Sequence, residues 1–191
     1  QGWCDKDYSQ YVKIKRDDDD EHGVPFSDAD LKILWDNKTN ETAEMLLIMC
    51  YSGWRISEYI GLEVNLQKKY FMGGIKTEAG KGRIVPIHSG ILPLVERRIS
   101  KYGKLLPCND KDFRKQMDEL LNQLGIPGNP KHTPHDCRHT FSMLCEKYEV
   151  KENDRKRMMG HSFKADITNK VYGHRDIEDL RKELEKITID L

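Results

Sequence analysis

Residues 43–54 read AEMLLIMCYSGW, an apolar run broken only by Glu44 before the turn residues Ser52 and Gly53. Apolar on every side, such a helix cannot lie on a surface and has to be enclosed by other elements. It is also far short of the roughly 20 residues that a membrane span requires. The chain is therefore expected to fold around one buried helix that Gly53 ends, with a short helix, RISEYIGLE, directly after it and Arg55 at the junction.

The remaining sequence supplies the elements that enclose it. In GVPFSDADLKILW, Ser27 is placed to cap a helix beginning near Asp28, with Asp30 three residues on. The stretch KKYFMGGIKTEAGKGRIVPIH sets two β-rich runs around a turn containing Gly and Lys, the pattern of a hairpin. Pro86 restricts the second run to an edge strand or a bulge. Helical patterning then returns over 89–101, 111–124, 135–147, 152–159 and 176–188. The expected fold class is mainly α with a small antiparallel β-sheet, and 191 residues suffice for one well-buried core.

Charge and cysteine usage narrow the functional classes. The formal net charge is zero, which argues against a simple basic nucleic-acid binder, but residues 1–30 hold four Lys/Arg against nine Asp/Glu. That leaves 28 against 23 over the rest of the chain, a mildly basic body behind a solvated acidic linker. Five cysteines without repeated CxxC spacing suit a reducing compartment, and the expected location is cytoplasmic with no membrane partner.

The chemistry gathers at HTPHDCRHTF, residues 132–141. His135 and His139 are spaced to share a helical face as zinc ligands, with Cys137 and Cys145 nearby, but no HExxH frame or second ligand cluster accompanies them. Arg138 instead offers a planar fork of donors suited to phosphate oxygens, beside a histidine able to move a proton. Arg55, Lys76, the MMGHSF stretch with His161 and the NKVYGH stretch with Tyr172 complete a set able to perform phosphoryl transfer without a metal.

In order along the chain, SGWRISEYIGLE, GGIKTEAGKGRIVPIH, TPHDCRHTF, MGHS and VYGH resemble the arginine, lysine-hairpin, HxxR, second-histidine and nucleophile boxes of the tyrosine recombinases, the phage-type integrases of mobile elements. The resemblance covers Ser52 to His174. It implies a catalytic domain over residues 27–175, with residues 1–26 as the acidic connection from a missing N-terminal core-binding domain. Residues 176–191 would be a C-terminal helix or tail that either docks on a neighbouring protomer or packs on its own domain.

The resemblance implies a role for each residue. Tyr172 is the nucleophile, forming a 3′-phosphotyrosine; Arg55, Arg138 and His161 hold the phosphate; His135 handles the proton at the tyrosine; Lys76 is the general acid. Glu58 is expected to orient Arg55 or to pair with it. Lys81, Arg83 and Lys131 are expected to contact DNA, with Lys81 the rival to Lys76 at the hairpin tip. No metal or other cofactor is implied. The partners are double-stranded DNA at recombination sites and further copies of the chain, as a tetramer on DNA. The expected function is site-specific recombination; the alternatives are topoisomerase IB-like DNA relaxation and a non-catalytic DNA-binding module.

Overall fold

The computed structural model of the chain describes residues 23–74, 82–126, 128, 130–161 and 176–189. The all-apolar helix, α2 (Glu41–Cys50), is central: every residue from Ala43 to Cys50 is buried. Asn40 starts it by accepting from the backbone N–H groups of Thr42 and Ala43 at 2.9 and 3.2 Å. Around it pack α1 (Asp28–Asp36), α3 (Leu92–Tyr102), α4 (Asp110–Gln123) and α5 (Pro134–Lys147). The single carboxylate of the run, Glu44, is buried and ion-paired with Arg97 and Arg98 of α3, and Arg98 also donates to the carbonyls of Glu41 and Leu105 at 2.8 and 2.7 Å. A buried charge needs that many partners.

Helix starts follow local chemistry. Ser27 and Asp30 form a capping box on α1, as the sequence predicts. Pro134 occupies the first turn of α5, where its missing N–H leaves no bond unmade, and Thr133 with Asp136 forms a second capping box. Two shorter helices, α6 (Glu152–Met159) and α7 (Ile177–Leu184), complete the described set.

Three antiparallel strands lie in the order β1 (Glu63–Asn65), β2 (Tyr70–Gly73), β3 (Arg83–Pro86). Pro86 faces Tyr70 on the edge strand β3, where a missing N–H is tolerated. Two features of this region differ from the sequence reading. The segment after Arg55 is a 3-10 helix over Ile56–Gly61, and Glu63, read as the end of that helix, instead begins a third strand, Glu63–Asn65, paired with β2. Three residues are too few for a period of two to register against a helical one.

Leu180, Leu184 and Ile187 are buried in the same apolar core as α2, and α7 packs against β3 and α6. Polar contacts fix it there. Arg181 donates to the carbonyls of Lys68 and Lys69 at 2.9 and 3.1 Å, and Ser89 donates its N–H and hydroxyl to Glu185 at 2.7 and 2.6 Å. The helix stops at Leu184 rather than 188, and beyond its end the carbonyl of Ile187 lies 2.7 Å from Nε2 of buried His88. His88 Nδ1 accepts from the Gly90 N–H at 3.0 Å, which leaves the proton on Nε2 to donate to that carbonyl.

Glu183 faces the α5–α6 connection, accepting from the Lys151 N–H at 3.0 Å and from the ammonium groups of Lys151 and Lys186. Burial pushes its carboxyl up, but those donors outweigh burial and hold it at about 2. A carboxylate lowered in the folded state contributes stability above its ordinary value of about 4.5 and loses it as pH falls towards 2. Stability measured by urea unfolding should therefore fall over that interval, and Glu183→Gln should lower stability at pH 7 while flattening the fall.

Candidate active site

Three turns carry the arginine and histidine boxes, and each is held by contacts made within the chain. The first follows α2. Gly53 has φ +68°, and a Cβ there would fall 2.4 Å from the Phe141 ring of α5, so only glycine fits both the conformation and the gap. Its carbonyl accepts from Arg138 Nη1 at 2.7 Å. Arg138 is 1% exposed, so this bond fixes a buried cation of the HxxR helix against the turn that leads into Arg55. The backbone N–H of Arg55 in turn donates to Glu58 Oε2 at 2.9 Å.

The second turn opens α5. Asp136 accepts from the N–H groups of Thr133 at 2.7 Å and Val24 at 3.1 Å, while Thr140 Oγ1 accepts from the Phe26 N–H at 2.9 Å. The segment ahead of α1 is thus bound to the helix that carries His135 and Arg138. Phe26 also stacks on His132, with centroids 4.2 Å apart. His135 is half-buried, and its ring meets that of His139 edge to face at 4.8 Å. Cys137 is fully buried, and burial pushes its thiol well up, which suits packing rather than metal ligation. Among the described residues no three His, Cys, Asp or Glu side chains come together as ligands.

The third turn ends α6. Gly160 adopts φ +70° and the His161 N–H closes the helix on the carbonyl of Lys156 at 2.9 Å, so His161 is placed by a left-handed helix terminus. A Cβ on Gly160 would lie 2.7 Å from Arg83 Nη1.

Arg83 is where the sequence expectation needs correction. Read as a DNA contact at the hairpin tip, it is 9% exposed, with Nη1 and Nη2 donating to the two Glu58 oxygens at 2.9 Å each and Nε donating to the Met158 carbonyl at 3.1 Å. Its guanidinium carbon lies 3.7 Å from the centroid of a Trp54 ring. Arg83 pairs with Gly73 at the end of the ladder next to the connecting residues, and strand alternation puts its side chain on the buried face with Val85. Glu58 pairs with Arg83 and also accepts the backbone N–H of Arg55. Burial pushes the Glu58 carboxyl up, yet the Arg83 guanidinium outweighs this and keeps it below the usual carboxylate range.

Lys131 is exposed and pairs with Asp118 at 2.7 Å, a surface contact worth roughly 0–1 kcal/mol. Lys76, Lys81 and Tyr172 lie outside the described residues. Sequence reasoning missed Gly53, Trp54 and Gly160 as parts of the site. The signal available was their adjacency, since Gly53 and Trp54 immediately precede Arg55 and Gly160 immediately precedes His161.

Among the described residues, a helical domain with a three-stranded sheet ties the HxxR helix to the turn that leads into Arg55 and sets His161 at a helix end. The model of the phage integrase family matches residues 28–179, and the chain belongs to that family, the tyrosine recombinases. Solved structures share the fold. The integrase from mycobacterium phage Brujita aligns with a TM-score of 0.68 at 16% identity, over 87% of this chain and 58% of that one. XerA recombinase aligns with a TM-score of 0.61 at 21% identity, over 84% of this chain and 64% of that one. The Tn1549 transposon integrase, solved in complex with circular intermediate DNA, aligns with a TM-score of 0.61 at 20% identity, over 95% and 69%. This chain thus spans less than two thirds of the first two. No curated protein sequence matches it.

Gly160→Ala should destabilise the fold by at least about 1–2 kcal/mol, the penalty for a side chain in the left-handed region, with the Arg83 contact adding to it. Urea unfolding checks this. Gly103→Ala, also at positive φ but with open space around the added Cβ, should show the conformational penalty alone.

Proposed function

We propose that the chain is the catalytic part of a site-specific DNA recombinase that cleaves and rejoins duplex DNA through a 3′-phosphotyrosine, using neither a metal ion nor ATP. The observation that carries this reading is the Arg138 to Gly53 bond, which joins the HxxR helix to the turn bearing Arg55. Two arginines brought to neighbouring turns suit the non-bridging oxygens of one phosphate. A buried guanidinium with its orientation already fixed needs little reorganisation as charge develops on them.

In this scheme the Tyr172 phenol oxygen attacks phosphorus, its proton passes to His135, and the P–O bond to the 5′-oxygen breaks. Lys76 gives that oxygen a proton as it leaves. Arg55, Arg138 and His161 hold the pentacoordinate transition state. Religation reverses the step on a new 5′-hydroxyl, with no net loss of phosphodiester bonds. The DNA partner and the assembly of several copies on it belong to the same proposal. Lys81 and Lys131 would contribute to DNA contact, and since the chain has zero net charge, affinity would rest on local clusters and fall steeply with salt.

On a nicked suicide substrate the wild-type chain should form a protein–DNA adduct that survives denaturation and forms equally well in EDTA. Tyr172→Phe should bind the same DNA and form none. An adduct from that variant, or a phosphotyrosine mapped to Tyr148 at the end of α5, would exclude Tyr172.

The two lysines separate by leaving-group chemistry. A bridging 5′-phosphorothioate leaves as a thiolate that needs little protonation, so sulfur should largely restore cleavage by a variant lacking the general acid. Lys76→Ala should be rescued and Lys81→Ala should not; the opposite pattern moves the acid to Lys81.

A further inference from the structure

One guanidinium on β3 touches residues on both sides of Arg55 and the last turn before His161, two segments on which the proposed chemistry depends. Arg83 donates through both terminal nitrogens to Glu58, through Nε to the carbonyl of Met158, and lays its face on Trp54. Glu58 accepts the Arg55 N–H with Oε2, the same oxygen that takes Arg83 Nη2. Met158 stands three residues before His161, in the last turn of α6. Trp54 immediately precedes Arg55. We propose that Arg83 is a positioning residue for strand cleavage, holding the Arg55 turn and the His161 turn at a fixed separation through one buried, planar cation. The proposal rests on the recombinase reading above.

Burial and shape both point to geometry rather than adhesion. The Arg83 and Glu58 side chains are 6% and 2% exposed, and a pair that deep gains little net stability, because desolvation offsets most of the attraction. Apolar side chains of similar volume would fill the space as well. They would not fix the direction of an α6 carbonyl, a carboxylate and an indole face at once, which a rigid fork of donors does. Lysine cannot replace it, since one ammonium cannot reach both carboxylate oxygens and the Met158 carbonyl in a single plane. Gly160 lets the α6 terminus approach that plane, because any Cβ there would collide with Nη1 at 2.7 Å.

A displacement of about 1 Å in groups that hold a reacting centre is enough to lower a rate on the order of 100-fold. Arg83 touches no substrate in this scheme. Its loss should slow cleavage while leaving DNA affinity nearly unchanged, since the phosphate-binding side chains stay in place but lose their spacing.

The experiment compares the wild-type chain, Arg83→Lys, and the double variant Arg83→Met with Glu58→Gln. The double variant removes both buried charges yet keeps an acceptor for the Arg55 N–H. Thermal midpoint, affinity for the suicide duplex and single-turnover adduct formation are measured for each, together with the imidazole resonances of His161 in the free protein by NMR. We expect affinity within about threefold throughout and adduct formation down by on the order of 100-fold in both variants. The double variant should also melt no lower than Arg83→Lys, and the His161 resonances should shift while those of His132, packed on Phe26, stay put. Adduct formation returning to the wild-type rate in the double variant would reduce Arg83 to a stability element and overturn the proposal. Unmoved His161 resonances in Arg83→Lys would overturn it as well. Should the wild-type chain form no adduct, the recombinase reading fails, and the His161 resonances still decide whether Arg83 holds that turn.

Discussion

The hydrogen bond from Arg138 to the carbonyl of Gly53 ties the apolar core to the chemistry of this domain. It forms at the end of α2, the helix that every neighbouring helix encloses, so the acceptor is held by the most buried element of the fold. The donor sits on α5, whose Phe141 fills the space a side chain at position 53 would need. Core packing of α5 on α2 and the anchoring of the arginine are therefore one event. A shift of α5 that loosened the core would move the cation, and a change at Gly53 that displaced the carbonyl would leave a buried charge short of an acceptor, which is among the costlier defects a protein can carry.

Buried ion pairs recur where segments distant in sequence must meet at fixed distance. Glu44 joins α2 to α3 through Arg97 and Arg98, and Glu58 joins the turn after Arg55 to β3 through Arg83. The two clusters serve different ends. Arg98 also binds the carbonyls of Glu41 and Leu105, which completes the wrapping of the core at a helix start. Arg83 uses the same chemistry beside His161 and Arg55. The surface pair of Lys115 with Glu119, by contrast, spans a single helical face and brings no distant segments together.

Much of this arrangement was legible in the sequence because it is written in local codes. The Ser27–Asp30 box, the all-round apolar run of α2, Gly53 as its terminator and Pro86 on an edge strand each follow from a few adjacent residues. The order of the boxes pointed to the family before any coordinates did. What stayed hidden depends on contacts between residues far apart. Arg83 and Met158 are separated by 75 positions, so nothing near GKGRIVPIH says that its arginine turns inward. A charged residue on a Gly-rich hairpin reads as exposed, and only the alternation of a strand whose paired face is buried reverses that reading. The anchoring of the segment after α7 was hidden for the same reason, since the His88 that holds the carbonyl of Ile187 lies 99 positions away.

The same long-range contacts bound the interval that contains Tyr172. Residues 162–175 run between two fixed points, His161 at the closed end of α6 and Asp176 at the start of α7. Arg83 and Gly160 hold the first; Arg181, Glu185 and the Ile187 carbonyl hold the second. The second set is built largely from side chains bonded to backbone groups: Arg181 to two carbonyls, Ser89 N–H to Glu185, His88 to Ile187. Such bonds fix position along the chain as well as distance, because each partner is a unique main-chain atom rather than a mobile side chain. Salt screens them less than it screens exposed charge pairs. Both ends are set against the body that carries Arg55 and Arg138, and the proposed nucleophile belongs to the span between them. The length of that interval thus becomes a property on which the geometry of attack depends directly.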